Sequence, residues 1–531
     1  DSVIYFSGEV FNKTELEDLY CLKSETIPEL ILKLYINNDF NSFKKINGEY
    51  TFVIITKFDT IICRDRNGCS LPIYYTEKYF SDSFITLLNY SGIKKDINIE
   101  AIASFLGLGY IPSPYTPLKF VKKLGAGNFL LYKHGVNIIE SNLFDFEDFA
   151  KSNKKEPDLI NFKNKYLELI DKSINNIINT NQNTAYIDFN NYFESQINNK
   201  TIENKTELYN RNNSIKHHEI NNLPQIVRCL EIPFNDFNLI HNYLFFKRIK
   251  HENYSILINF NGLDQLLGSN SNNIFKYLKA LKNRSLKLIR LIKTILNFKI
   301  FEHNKRIYLV KRLLNRILNI YSIGRNGFSK KQINSLLKAD FQTKSYKYQS
   351  SLPINVKNFE DAYLSHNYFI DIKQSINEIE VFQMKAFARK FEIKTFYPLL
   401  NNNIYNLFKE INPTTKNNEI KEILLKIRNE RNLKKNYSFY LHINQANYLY
   451  DANLRKKLFI YIKDSDACSN LFNKKNIDLF FSNLEKEIIS KTQTYKVLYD
   501  LSFQFFNILI LTLWWDIIIN NKKGDLLQDF Y

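Results

Sequence analysis

Nine of the chain's 14 glycines lie before residue 136, and none falls between residues 136 and 261. The remaining five are Gly262, Gly268, Gly324, Gly327 and Gly524. Loops that wrap phosphate use glycine so that the backbone can approach the anion, so the centre of this chain offers few places for one. The same shift marks a boundary near residue 150 and divides the chain into domains at 1–150 and 151–531. A length of 531 residues accommodates about two to four domains of ordinary size. With 44% hydrophobic residues the chain can bury sizeable cores, which excludes a disordered or collagen-like protein. Asn makes up roughly one residue in eight, beside inflated Lys, Ile, Phe and Tyr. That bias fits AT-rich codon usage, and it weakens the net charge of +19 as a sign of nucleic-acid binding.

Five cysteines, Cys21, Cys63, Cys69, Cys229 and Cys468, are too few for a disulfide scaffold, and no pair has zinc-ligand spacing. His217-His218 sits in a polar stretch and reads as a solvated loop. The chain opens without a basic segment before an apolar one, so no signal peptide is expected. The longest apolar run, Phe505 to Ile519, contains Asn507 and Asp516 and is short for a bilayer. These features predict a cytoplasmic protein with no transmembrane segment.

The first domain reads as β-rich. Tyr50 to Ile55 is a buried-strand run, with Thr60 to Cys63 as its hairpin partner, and Leu71 to Tyr75 and Phe129 to Tyr132 are further strands. Turn residues separate them at Asn47-Gly48, Asn67-Gly68 and Pro112-Ser113-Pro114. Leu16 to Tyr35 and Glu100 to Leu106 have helical spacing. In the second domain Leu159 to Ile178 reads as a helix. Two strand-turn-helix units follow, with strands at Thr184 to Phe189 and Tyr254 to Phe260. That alternation predicts a parallel α/β sheet, and beyond residue 270 the pattern is almost all helical. Lys276 through Arg316 holds 13 Lys or Arg and one acid, Glu302. Apolar residues run between the charges, so the segment is either a solvated helical face or a surface for an acidic protein or peptide partner. Nucleic acid is not expected, because stacking aromatics are not interleaved.

Several motifs fall in one order. Phe6-Ser7-Gly8-Glu9-Val10-Phe11-Asn12 followed by Glu15-Leu16 resembles the "NGEIYN…EL" of asparagine synthetases. Asn47-Gly48-Glu49-Tyr50-Thr51-Phe52 is similar to "LNGxFAF". Arg64-Asp65-Arg66-Asn67-Gly68 through Leu71-Pro72-Ile73-Tyr74-Tyr75 is similar to "RDRFGxxPLYY". Phe80-Ser81-Asp82-Ser83 resembles "FASE". Gly109-Tyr110-Ile111-Pro112-Ser113-Pro114 and Leu124-Gly125-Ala126-Gly127-Asn128 resemble "GYIPSPxT" and "LPPGH". The resemblance is close over 3–135 and looser over 155–520. It implies a glutaminase-like αββα sandwich of the Ntn-hydrolase type, followed by an α/β synthetase domain of the PP-loop type with a helical C-terminal part. The family's glutaminase nucleophile is an N-terminal Cys. Residue 1 here is Asp, so glutamine hydrolysis is not expected. Loss of that Cys also marks the β-lactam synthetase and lasso-peptide cyclase branch, which adenylates a carboxylate with ATP and lets an internal amine attack it.

That chemistry needs backbone amides on the pyrophosphate, carboxylates on Mg²⁺ and a cation near the attacked centre. The resemblance matches the family's "SGGxDSS" to the strand-turn Tyr186 to Ser195. Its paired glycines become Asn190 and Asn191, its magnesium Asp becomes Phe193, and Ser195 is kept. The second loop, Phe260-Asn261-Gly262-Leu263-Asp264, keeps Gly262 for the nucleotide and Asp264 for the metal. Asp264 also reads simply as a helix-capping residue. In the third segment the family's Glu, Arg and Asp become Lys394, Phe396 and Asn401. Lys434, in Lys434-Lys435-Asn436-Tyr437-Ser438, matches the catalytic cation of the cyclising branch, or belongs to a solvated basic run. ATP and Mg²⁺ are thus implied by resemblance and opposed by the residues that replace its motifs. Two readings stand. One is a degenerate pseudo-synthetase serving as partner or scaffold in a biosynthetic, peptide-modifying complex. The other is an active ATP-dependent amide ligase with a divergent site.

Overall fold

The structure, a computed structural model, describes residues 2–133, 139–142, 157–178, 184–187, 202–204, 217–267, 327–341, 371–411, 415, 419–420, 422–424, 445–489, 496–524 and 526–527. Its first part is built on a five-stranded antiparallel sheet in the order β1-β2-β3-β7-β8. The strands are β1 (Val3–Val10), β2 (Gly48–Ile55), β3 (Asp59–Arg64), β7 (Asn128–Lys133) and β8 (Ile139–Asn142). A second, three-stranded sheet runs β5-β4-β6, with β4 (Tyr74–Tyr75), β5 (Phe80–Ser81) and β6 (Lys122–Lys123).

The alternation along β2 and β3 sorts side chains into layers, because successive residues face opposite sides of a sheet. Phe52, Ile54, Ile61 and Cys63 pack with Leu16, Leu30, Ile31 and Leu34 from the helices Lys13–Tyr20 and Ile27–Asn38. Val53 and Ile62 point the other way and pack with Ile73, Tyr75 and Leu124 around the second sheet. Tyr74 then joins Phe84, Leu87 and Phe105, from the helices Phe84–Ser91 and Ile99–Leu108. The stack is helix, sheet, sheet, helix, as the motifs imply. Gly8 and Gly48 let β1 and β2 cross closely. A Cβ at Gly8 would stand 2.0 Å from the Glu49 carbonyl oxygen, and one at Gly48 2.2 Å from that of Glu9.

The second part carries a four-stranded parallel sheet in the order β10-β9-β11-β12. Its strands are β9 (Thr184–Ile187), β10 (Ile202–Asn204), β11 (Ile256–Asn259) and β12 (Lys394–Phe396). The helix Leu159–Ile178 falls where its spacing predicts. Described helices dominate beyond β11, and the largest core cluster runs through both parts.

Four expectations change. The stretch Leu16 to Tyr35 is two helices, because Cys21 turns left-handed at φ 51° and the Glu17 carboxylate holds the break by accepting from Ser24 N (2.9 Å) and Oγ (2.6 Å). The strand at Leu71 to Tyr75 shrinks to Tyr74–Tyr75, since the Ser70 carbonyl is held by Arg64 and that of Ile73 by Leu124. The helical region after 270 is interrupted by β12, which adds an edge to the parallel sheet. Finally, the closing helix extends over Tyr499–Ile519, 21 residues, so shortness does not argue against its crossing a bilayer; instead it is a core element, 94% buried inside the protein.

Candidate functional site

The parallel sheet reverses its strand order between β9 and β11: the chain leaves β9 for β10 on one side and β11 for β12 on the other. Open α/β sheets bind ligands outside the carboxyl ends of the strands at such a point. Here it is flanked by Ile187 and Asn259, and the Phe260 amide donates across it to the Ile187 carbonyl at 3.1 Å. The buried Asn259 accepts from the Asn261 amide at 2.9 Å, and the Asn261 side chain donates to Glu380. The turn after β11 is thereby tied to the loosely wound helix Asp371–Val381. Gly262 lies at φ +117°, and a Cβ there would stand 2.9 Å from Leu400 Cδ2. The space this glycine opens is filled by a leucine of the chain itself.

Of the residues selected from sequence, Asn190, Asn191, Ser195 and Lys434 lie outside the described residues, as does the basic segment Lys276 to Arg316. Gly262 is described, and Asp264 falls in the helix Leu263–Leu267 directly after the β11 turn. Lys394 opens β12 at the surface, 3.9 Å from Glu9 in an exposed ion pair. Phe396 is buried in the same strand. Among the described residues no three of His, Cys, Asp and Glu converge on a metal-sized site. Leu400 packs against Gly262, and the Asn261 side chain is bonded to Glu380.

A denser set of polar groups lies where the first domain meets the segment 385–406. The buried Glu49 carboxylate accepts from Lys385 Nζ at 2.7 Å and from the Tyr397 amide at 2.6 Å, and Lys385 also reaches the Thr395 carbonyl at 2.5 Å. Burial pushes the Glu49 carboxyl up, against the pull of Lys385. Asn47 donates to Asn401 Oδ1 at 2.9 Å and accepts from the Asn402 amide at 3.0 Å. Asn401 Oδ1 also caps the helix Asn402–Lys409 through the Asn403 amide at 2.8 Å, while its Nδ2 donates to Ser173 at 3.1 Å. Asn67 donates to the Leu400 carbonyl, and the Arg66 guanidinium lies 4.0 Å over the Tyr405 ring. Asp65 holds this loop in shape by accepting from the amides of Asn67, Cys69 and Ser70.

A second buried pair joins the same two parts. Lys123 Nζ donates to Glu378 Oε2 at 2.7 Å, and the Ser113 amide donates to Oε1 at 3.2 Å. Burial pushes the Glu378 carboxyl up, but Lys123 and Ser113 outweigh it and hold it below the usual range. The four partners Glu49, Lys385, Lys123 and Glu378 escape motif reading. One signal does exist for Glu49: a carboxylate two residues into an otherwise apolar strand needs a buried partner. All five cysteines are free. Burial pushes the Cys63 and Cys69 thiols well up and Cys229 to about 11, which leaves inert thiols.

Residues 1–142 match the family of the glutamine amidotransferase domain. Over 142 residues the chain is 37% identical to a protein of Methanocaldococcus jannaschii named as a glutamine-hydrolyzing asparagine synthetase. The match covers 25% of this chain and 27% of that relative, so the chain spans little more than a quarter of the curated relative it matches. Two solved structures share 10% identity over 35% of this chain, at a TM-score of 0.20. One is the glutamine phosphoribosylpyrophosphate amidotransferase of B. subtilis with ADP and GMP, covered over 40%; the other, covered over 39%, is described as the allosteric regulatory enzyme of purine biosynthesis. The first 142 residues are thus similar to the amidotransferase domain of an asparagine synthetase.

Proposed function

We propose that the chain is an asparagine-synthetase-like protein whose second domain, of PP-loop descent, has turned from nucleotide chemistry to assembly. It serves as a partner or scaffold subunit of a biosynthetic, peptide-modifying complex. The observation that carries this reading is Asn401. The resemblance gives that position the Asp of its third segment. Here the residue is an amide whose oxygen accepts from Asn47 and from a helix N-terminus, and whose nitrogen donates to Ser173. An ionised carboxylate could accept the first two bonds but could not donate the third. Leu400 against Gly262 and the exposed Lys394 point the same way.

ATP–pyrophosphate exchange with aspartate and with a pool of carboxylate acceptors tests the reading. Exchange no faster than a no-enzyme blank is expected. Exchange abolished by Asp264→Asn would overturn it. The second reading, an active ligase adenylating a carboxylate, draws on one observation: Asp264 follows β11 at the switch point, where α/β sheets take their ligands. Lys434 would then stabilise the intermediate.

A further inference from the structure

The helices Phe84–Ser91 and Leu223–Leu230 meet the end of the closing helix and the turn after it, 517–524, around a cavity of about 690 Å³. Its floor is apolar, with Ile85, Leu88, Ile517 and Ile518, and its rim holds Lys95, Arg228, Lys522 and Lys523. No carboxylate lines it. A second cavity, of about 340 Å³, shares Gln225 and Arg228 with the first and continues to Arg389 and Lys390, again without a carboxylate.

Two of these cations are held by carbonyls. Lys95 Nζ donates to Ile518 O at 2.7 Å and Ile519 O at 3.0 Å; Arg228 Nη2 donates to Lys522 O and Gly524 O, both at 3.1 Å. These bonds fix the closing turn and leave both positive charges without a carboxylate among the described residues. Lys390 and Lys523 are exposed and make no ion pair among the described residues. Lys522 and Arg389, by contrast, are paired with Asp516 at 3.0 Å and Glu231 at 3.3 Å. The result is four cations without a carboxylate partner among the described residues, around an apolar trough.

We propose that this trough binds an acidic peptide segment of a partner protein, with apolar side chains seated on the floor and carboxylates on the rim. Complementary charge on the rim gives orientation and rate, and apolar anchors in a desolvated floor give affinity. A second copy of the chain, at net charge +19, carries the wrong sign. No aromatic ring lines either cavity, so bases would find nothing to stack on. The trough is concave, which suits a peptide better than a bilayer surface. The proposal does not depend on whether nucleotide binds the second domain.

Fluorescence anisotropy of the full chain tests it with a labelled peptide of repeating Glu-Leu-Asp-Phe units. Saturable binding is expected, weakened by salt and by about tenfold in the double variant Lys390→Glu/Lys523→Glu. Both residues are exposed, so the variant's thermal unfolding should match that of the parent chain. Oligo-aspartate, which lacks anchors, should bind at least about tenfold more weakly. No binding, unchanged affinity in the double variant, or tighter binding of oligo-dT would overturn the proposal. Unchanged affinity would move the peptide to some other basic surface.

Discussion

The boundary between the first part and the segment 385–406, and the end of the parallel sheet, both hold buried polar groups, yet they are finished differently. At the interface, Asn47, Glu49, Asn67 and Asn401 all find partners across the boundary. Near the β11 turn, Asn377 is buried with neither side-chain atom hydrogen-bonded among the described residues. Buried polar groups in a structural role are normally satisfied. The named interface groups are paired, although Thr395 Oγ1 beside them is buried without a hydrogen bond among the described residues. The strand-end region lies at the switch point where open α/β sheets take their ligands.

Breaking the paired groups of the interface should have the largest effect. Lys385→Met leaves Glu49 buried without its cation and should lower stability by about 3–5 kcal/mol in denaturant unfolding. Adding Glu49→Gln should recover part of that loss, since an uncompensated charge is the main cost. A full loss retained in the double variant would show that the pair is not the unit that matters. Asn401→Asp returns the carboxylate that the resemblance expects. It removes the donor to Ser173 and buries a charge, so a loss of about 1–3 kcal/mol is expected. A stability gain together with new ATP binding would contradict the structural role given to Asn401.

The Lys123–Glu378 pair sharpens the contrast through pH. Glu378 titrates below the carboxylate value of 4.5 when folded. Its contribution is therefore present above the unfolded value and is lost as pH falls through the folded one. Thermal unfolding from about pH 7 to about pH 3 should flatten on its acid side in Glu378→Gln. The raised Glu49 acts with the opposite sign, so an unchanged slope in Glu378→Gln would assign the acid limb elsewhere. At the other extreme, Lys394→Gln removes an exposed pair 3.9 Å long and should cost less than about 1 kcal/mol. A larger loss would make β12 depend on that surface charge.

How far the residues alone reveal this molecule differs between the domains for the same physical reason. In the first domain, turn chemistry and strand alternation are local signals. The Asn47-Gly48 turn and the Tyr50 to Ile55 strand follow from them directly, while the αββα layering comes from the resemblance. The helix at Leu159 to Ile178 is likewise declared by its spacing. The break at Cys21 was hidden, because a left-handed non-glycine residue carries no mark in the sequence. β12 was hidden for a different reason: three residues are too few to show alternation, and the strand exists because β11 offers it an edge. At the site, the resemblance marked Asn401 as a lost carboxylate. It could not show that the amide links Asn47, Ser173 and Asn403, which are distant in sequence. Long-range partnerships of this kind decide whether a changed residue is a loss or a new use.

The most direct measurement is a calorimetric titration of the full chain with ATP and Mg²⁺, which needs no knowledge of a substrate. A titration without saturable heat is the expected result, and Asp264→Asn should leave it unchanged. Saturable binding of ATP that weakens in Asp264→Asn would contradict the assembly role and return the second domain to catalysis.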